Sequence, residues 1–229
     1  VDFRVVGNTL ESPEVAVTEL TQWGETALEA VPVDGGTAYK LSVPSNNRDK
    51  RHYFKFKASA SENYKINFSS SGDAELHPYR GVGINRFNGQ SHRANGTTGT
   101  VTVPGYSGEV YFVLISKFGG TNHINFQITG STQSTTRSTG TSITGGSSAF
   151  EAKPVVGNRH YRATIGALEA GYFKFRAAAS ETYTVHFSAP RDLGEYKVVK
   201  GIGETINWSG TDNPYSEQNN ENSLNLSGY

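Results

Sequence analysis

An internal repeat is the feature that most restricts what this chain can fold into. Residues 53–69 return as residues 172–188 at an offset of 119, without a gap and with 11 of 17 positions identical. Weaker matches extend the repeat, since residues 32–39 correspond to 154–161 and residues 100–106 correspond to 223–229. Internal similarity of this kind is the signature of a structural unit that occurs more than once. Two copies of one unit are therefore expected.

Alternating apolar and polar residues predict strands in both copies. Tyr64, Ile66 and Phe68 share one face of residues 64–68, and the second copy keeps this pattern over residues 183–187. A period of two is typical of antiparallel sheets with one buried face. The predicted strands of the first copy are residues 39–43, 53–57, 64–68, 100–103, 110–115 and 124–128. Short strands separated by Gly, Asn, Ser and Pro, including a turn at residues 70–72, indicate an all-β fold of the sandwich or jelly-roll type.

The repeat predicts two tandem antiparallel β-sandwich or jelly-roll domains, the second lacking its last strand pair. The first domain covers residues 32–130 and the second covers residues 150–229. Residues 131–149 are rich in Ser, Thr and Gly and predict a flexible linker, because such a run has little apolar surface to pack. Residues 1–31 belong to neither copy.

The N-terminal segment has two alternative readings. Residues 1–5 alternate like a short strand, which a neighbouring chain could accept. A helix that opens near Pro13 would place Leu20, Trp23 and Leu28 on one face, and Pro favours the first turn of a helix. The sequence leaves both alternatives open, as a donor strand or as a short helix.

Composition and charge exclude several classes of function. Lys+Arg and Asp+Glu both number 21, so no excess of cations is available to bind nucleic acid or an anionic membrane surface. No apolar run approaches the roughly 20 residues that a membrane-spanning helix needs. The chain has no Cys, and it has no Met, so Val1 is expected to be a mature or excised end. A polar composition with 18% charged residues is typical of extracellular β-rich proteins.

Three stretches of the first copy resemble a known family. Residues 53–56 with 62–68 are similar to an opening hairpin, residues 72–76 to an acidic strand start, and residues 107–115 with 124–128 to a closing hairpin. In this order they resemble the bacterial pre-peptidase C-terminal (PPC) domains, over about residues 35–130 and in part 157–229. The resemblance implies a bacterial, exported, non-catalytic accessory β-sandwich that binds insoluble polymers or aids secretion, sometimes with calcium. Glu75 stands where the family usually has a second Asp, and residues 191–195 depart further.

No catalytic motif is present in the sequence. The chain lacks a Gly-x-Ser-x-Gly elbow, a His-Glu-x-x-His pair and a phosphate-binding loop, which are short motifs tied to specific chemistry. Its six His residues show no metal-ligand spacing. We therefore expect no enzymatic activity.

Calcium is the inorganic cofactor that the sequence favours. The loop at residues 212–222 concentrates hard oxygen donors, the ligand type that Ca²⁺ takes. The alternative is that this loop is only polar and solvated. Asp73 with Glu75 forms a weaker carboxylate pair. The predicted metal ligands are Asp212, Glu217, Asn219 and Glu221.

Aromatic residues in predicted loops could stack on sugar rings, whose C–H faces suit flat π surfaces. Trp208 is the leading residue, and the alternative is that its side chain closes one end of the second sandwich. The predicted ligand-binding residues are Trp208, Tyr215, Phe87 and Phe118.

The second copy has no counterpart of residues 107–130, the closing strand pair of the first copy. Three explanations stay open: the chain was cut at this point, the missing part is a separate cleaved piece, or a neighbouring chain supplies a strand. A sheet without these strands would expose edges that invite pairing with another chain.

Two functions follow from the sequence. The first is a non-catalytic extracellular binding module that attaches a larger exported protein to a polysaccharide, a matrix protein or a cell surface. The second is a structural subunit of an extracellular fibre or surface layer, assembled by β-strand exchange between chains.

Overall fold

The computed structural model describes residues 16–59, 61–81, 85–86, 94–166, 169–177, 183–188 and 221–226. This part of the chain contains no α-helix and two short 3-10 turns, at Ala27–Glu29 and Ser45–Asn47. Within the same residues, no helix is long and apolar enough to cross a bilayer. The strands are β1 (Val17–Leu20), β2 (Val31–Pro32), β3 (Ala38–Val43), β4 (Arg51–Ala58), β5 (Tyr64–Arg80), β6 (Asn85–Arg86), β7 (Ala94–Val103), β8 (Gly108–Ser116), β9 (Asn122–Thr129), β10 (Thr132–Gln133), β11 (Thr141–Ile143), β12 (Lys153–Pro154), β13 (Tyr161–Ala163), β14 (Phe173–Lys174), β15 (Tyr183–Ser188) and β16 (Glu221–Leu226).

The all-β class is confirmed, and each of the strands predicted for the first copy is present as β3, β4, β5, β7, β8 or β9. The turn predicted at residues 70–72 is wrong. Instead, β5 continues through these residues, with a shift of register between Ser69 and Ala74. A β-bulge bends a strand without ending it, which is why Gly and Ser here do not mark a turn.

One mixed sheet forms the body of the first copy. Its strand order is β1-β3-β9-β5-β8-β4-β10, with β2 also on β4 and with β6 and β7 also on β5. The first half of β5 pairs with β7 and β9. Its second half pairs with β8 and, at residues 74–76, still with β7. Because β5 serves both halves of the sheet, its bend curls the sheet around the core. The predicted antiparallel pairing holds except between β1 and β3 and between β2 and β4, which are parallel.

The helix predicted in the N-terminal segment is wrong over its described part. Val17–Leu20 is strand β1, which pairs in parallel with β3, and only Ala27–Glu29 forms a 3-10 turn. Leu20 and Trp23 do pack against the core, but from an extended chain. Pairing with β3 satisfies the backbone hydrogen-bonding groups of β1. Because the local sequence has only a weak preference for helix or strand, this tertiary contact decides its conformation. The proposed donor strand, residues 1–5, lies outside the described residues.

The core lies on both faces of β4 and β8. On one face, the rings of Phe54, Phe56, Phe112 and Phe126 contact one another, with centroids 5.1–6.4 Å apart. On the other face, a smaller cluster includes Tyr53, Tyr111, Val113 and Ile115 packed on Ala27 and Ala30 beside the first 3-10 turn. Each fully buried apolar side chain contributes about 1.5–3 kcal/mol. Burial on both faces explains why β8 reads as a continuous apolar run.

The second copy repeats the strand pairing of the first. Strand β15 pairs with β16 in the register of β5 and β7, so that Tyr183 lies opposite Leu226 as Tyr64 lies opposite Val103. Strands β12 and β14 are parallel, as are β2 and β4. Strands β11 and β13 are parallel, as are β1 and β3. The structural repeat therefore begins at β1 in the first copy and at β11 in the second.

Details outside the strands are repeated as well. The backbone N–H of Asp34 donates to the Tyr39 hydroxyl at 2.8 Å, and that of Val156 donates to the Tyr161 hydroxyl at 3.0 Å. The run predicted as a linker, residues 131–149, contains β10, which pairs with β4, and β11. Arg137 within it donates to the side chain of Gln22 at 2.8 Å. These contacts tie the run to strands of both copies.

Candidate functional site

A cleft of about 340 Å³ opens beside the bend of β5. The bulge lies beside the start of β7, and the chain that leaves β8 closes the third side. Carboxylate, amide and ammonium groups are thereby placed around one depression on the surface. The lining residues are Asp73, Ala74, Glu75, Asn95, Gly96 and Lys117.

Asn122 holds the bulge in place from the start of β9. Its side chain is fully buried. The Asn122 Oδ1 atom accepts hydrogen bonds from the Ser71 hydroxyl and the Gly72 N–H, both at 3.1 Å. The Asn122 Nδ2 group donates to the Asp73 carbonyl at 3.3 Å and to Ser116 Oγ at 3.1 Å. One amide thus satisfies backbone groups that the bulge removes from the regular ladder.

Phe118 follows Lys117, which lines the cleft, and packs on glycine backbone. A Cβ atom at Gly72 would lie 2.3 Å from Phe118 Cγ, so only glycine permits this approach. A Cβ atom at Gly120 would lie 3.0 Å from Phe118 Cε1. Phe118 nevertheless remains 43% exposed. The ring is therefore held in position and still presents apolar surface to solvent.

The charges around the cleft are of both signs. Lys117 Nζ lies 2.9 Å from Asp49 Oδ1, and Arg48 Nε lies 3.3 Å from Asp49 Oδ2. Asp73 is exposed, whereas Glu75 is largely buried and its Oε2 atom lies 3.2 Å from His77 Nε2. The rim offers hydrogen-bond donors and acceptors without a strong net charge. Such a surface suits a neutral, hydroxyl-rich ligand better than a highly charged one.

Of the residues predicted to bind a ligand, Phe118 follows the lining residue Lys117 but is not itself among the residues that line the cleft. Asp73 and Glu75, the weaker carboxylate pair, line the same cleft. Glu221 begins β16 opposite Ser188, and its side chain lies outside the described residues. Within the described part of the chain, no group of three or more His, Cys, Asp or Glu residues could hold a metal ion. The predicted residues that lie outside the described part are Phe87, Trp208, Asp212, Tyr215, Glu217 and Asn219.

Sequence reasoning missed Asn122, Gly72 and Lys117. Asn122 could have been identified from the sequence, because it precedes Ile124 and Phe126 on the inward face of β9. A polar residue at an inward position of an apolar strand usually has hydrogen-bond partners. The close approach of Phe118 to Gly72 left no such signal, since it depends on contacts between segments far apart in the chain.

No family model and no curated protein matches the chain. Among the solved structures that match it is the crystal structure of the pre-peptidase C-terminal domain of collagenase from Bacillus anthracis. That match has 14% sequence identity and a TM-score of 0.32, and it covers 52% of this chain and 99% of that chain. The chain is thus similar over about half its length to a domain of the class that its sequence motifs resemble. The similarity assigns no ligand or activity to this chain.

Proposed function

We propose that the chain is a non-catalytic, exported bacterial module that attaches a larger protein to a polysaccharide, a matrix protein or a cell surface. The observation that supports this proposal is the exposed Phe118 ring, which is held against Gly72 and follows Lys117, a residue that lines a polar cleft. Aromatic faces stack on the C–H faces of sugars, while carboxylate, amide and ammonium groups bond to hydroxyls. A polysaccharide is therefore the ligand that we favour.

The rigidity of this surface supports a binding role. Gly72 and Gly120 confine the ring, and Asn122 fixes the backbone beneath it. A group that is already held in its binding position loses less conformational entropy when a ligand arrives. Stacking of a sugar on the Phe118 ring would therefore contribute to affinity with only a small loss of side-chain entropy.

The finer architecture that we infer is two tandem β-sandwiches, the second without its closing strand pair. Trp208, Tyr215 and Phe87 are proposed as further stacking residues. Calcium is the proposed cofactor, held by the loop that contains Asp212, Glu217, Asn219 and Glu221. A calorimetric titration with Ca²⁺ tests this part separately, and the absence of heat above the blank would remove it.

Retention on insoluble polymers tests the main proposal. Cellulose, chitin and peptidoglycan provide the polysaccharide arm, and immobilised collagen provides the matrix-protein arm. We expect retention on at least one polysaccharide, and Phe118→Ala should weaken it about tenfold or more, as for a central aromatic contact. Phe150→Ala is the matched control, because Phe150 is 78% exposed and is not among the residues that line the cleft.

A second variant separates the position of the ring from its presence. Gly72→Ala places a methyl group where the Phe118 ring lies, so the ring must move while remaining exposed. We expect Gly72→Ala to reduce retention nearly as much as Phe118→Ala. No retention on any polymer, or equal retention of the Phe118→Ala and Phe150→Ala variants, would contradict the proposal.

A structural subunit assembled by strand exchange is the second candidate function. It is supported by the exposed side chains of Phe173 and Phe175 on and beside β14. This candidate predicts species larger than the monomer that grow with concentration, which sedimentation velocity measures. A monomer at every concentration would oppose it.

A further inference from the structure

The first copy buries a carboxylate whose cation belongs to the second copy. The side chain of Glu29 is only 8% exposed, and its Oε2 atom lies 2.6 Å from Nη2 of Arg162 on β13. A buried carboxylate that lacks a cation is strongly unfavourable, because burial removes its hydration and nothing replaces it. The burial of Glu29 therefore depends on the position of the second copy.

The equivalent turn of the second copy shows that the local sequence does not by itself bury this carboxylate. Residues 26–30 read Thr-Ala-Leu-Glu-Ala, and residues 148–152 read Ser-Ala-Phe-Glu-Ala. Both segments form the same turn, in which the N–H of the last Ala donates to the carbonyl of the first. Glu151, the counterpart of Glu29, is nevertheless exposed, and its carboxylate accepts a hydrogen bond from Ser147. Burial of the carboxylate accompanies the contact with Arg162, not the turn.

Glu29 lies near the end of a segment that crosses the first copy from β3 to β4. We name this segment, residues 17–30, the N-terminal strap. Strand β1 within the strap pairs with β3, and Gly24 exchanges two backbone hydrogen bonds with Tyr53 on β4, at 3.0 and 3.1 Å. The strap is thus part of the first copy, while its buried carboxylate is paired with the second.

Arg137 makes another contact with the strap from outside the first copy. Its Nη1 group donates to Gln22 Oε1 at 2.8 Å, and its Nη2 group donates to the Trp23 carbonyl at 3.3 Å. Arg137 belongs to the run that leads to β11, and none of residues 131–140 is buried. Exposed polar contacts are individually weak, and a run rich in Ser and Thr is flexible once it is detached. A few polar contacts therefore decide whether this run is docked or free.

We propose that Glu29, Arg137 and Arg162 form a latch that couples the N-terminal strap to the second copy. With the latch closed, the strap is held on β3 and β4. With the latch open, residues 134–140 become a flexible tether, and the strap loosens because Glu29 loses the cation that permits its burial. The coupling is reciprocal, since each partner stabilises the other by the same free energy. This goes beyond the proposed function, because the latch does not include the cleft beside β5.

Hydrogen exchange of the full chain tests the latch, since it measures the opening of each segment under native conditions. Arg162→Ala should accelerate exchange of the strap amides, including that of Gly24, about tenfold, and exchange of the β11 and β13 amides by a similar factor. Arg159→Ala is the matched control, because Arg159 is exposed and lies three residues before Arg162. It should change the exchange of neither segment.

Two further variants keep the test valid if Arg162→Ala disturbs the second copy. Glu29→Gln acts from the first copy and removes the charge while keeping the shape of the side chain, so it should accelerate the same two segments. Ile66→Val lowers global stability from within the core of β5, and it should leave both segments unchanged, because the latch opens without global unfolding.

Three results would overturn the proposal. The first is unchanged exchange of the strap in both latch variants. The second is faster exchange of the strap without faster exchange of β11 and β13, which would show that the two segments open independently. The third is equal acceleration by Ile66→Val and Arg162→Ala, which would show that the strap opens only when the whole first copy unfolds.

Discussion

Acidification is expected to destabilise the first copy through His52, which is completely buried in β4. The His52 Nδ1 atom lies 3.2 Å from the Leu114 carbonyl oxygen, to which its proton donates. Within the described residues, His52 Nε2 has no hydrogen-bond partner, and the Trp23 ring lies edge-on at 4.7 Å. An imidazolium at this position would have a buried N–H donor without an acceptor.

The expected magnitude follows from the pKa of His52. The net pKa of His52 is lowered from 6.5 to about 4, because burial and, to a smaller extent, the charge of Lys50 outweigh the hydrogen bond to the Leu114 backbone, which raises it. The unfolded chain therefore binds a proton at a higher pH than the folded chain does. Stability is complete above pH 6.5 and is lost as the pH falls toward about 4. A difference of about 2.5 units corresponds to about 3 kcal/mol.

The variant His52→Asn isolates this contribution. Asparagine places an amide nitrogen near the position of Nδ1, so the hydrogen bond to Leu114 is retained while the titrating group is removed. Urea unfolding of both proteins, followed by tryptophan fluorescence from about pH 8 to about pH 4, gives the free energy of unfolding at each pH. All other titrating groups are shared, so they cancel in the difference between the two curves.

The natural protein should lose about 3 kcal/mol more than His52→Asn between these limits, with most of the loss below pH 6.5. The variant has a lower stability at neutral pH, because it loses the contact of the imidazole with Trp23. Two curves that run parallel across the whole range would refute the reasoning, since they would show that His52 titrates alike in the folded and unfolded chains.

Three further predictions concern other polar contacts of the structure. Asn122→Ala should lower the free energy of unfolding by about 2–4 kcal/mol in urea, because buried backbone groups of the bulge lose their partner. Burial raises the pKa of Glu109, but hydrogen bonds and the ammonium group of Lys55 lower it more, to a net value below 4.5. The ionised Glu109 side chain therefore adds stability above this pH, and the natural protein loses that contribution on acidification. Glu109→Gln should lack the contribution at neutral pH, at a cost of at most about 1 kcal/mol, because partial exposure weakens the ion pair. Arg162→Ala should cost about 1–2 kcal/mol in thermal unfolding, since it removes the cation at 2.6 Å from the buried Glu29 carboxylate.

Local sequence pattern was sufficient for the strands of the first copy because alternation reports directly which side chains face the core. Tyr64, Ile66 and Phe68 are all buried as predicted. The same pattern could not show that β5 continues through Gly72, because Asn122 holds that bulge from fifty positions away in the sequence. Phe118 was identified as an exposed aromatic residue, but its place beside a cleft depends on the same long-range contacts.

The N-terminal segment shows a different limit. Leu20 and Trp23 lie three residues apart, a spacing that suits one face of a helix, and both do face the core. Their conformation is decided by β3, which offers an edge for parallel pairing with Val17–Leu20. Parallel strands are not joined by a tight turn. The residues around Leu20 therefore carry no turn signal from which the pairing with β3 could be predicted.

The repeat supplies a comparison that a single domain lacks. Phe54 and Phe173 occupy matching positions in nearly identical local sequence, yet the first is buried and the second is 37% exposed. Local sequence cannot produce that difference, so the burial of Phe54 derives from the β8–β9 hairpin that packs on it. Covering a phenylalanine side chain in this way contributes about 1.5–3 kcal/mol to the stability of the first copy.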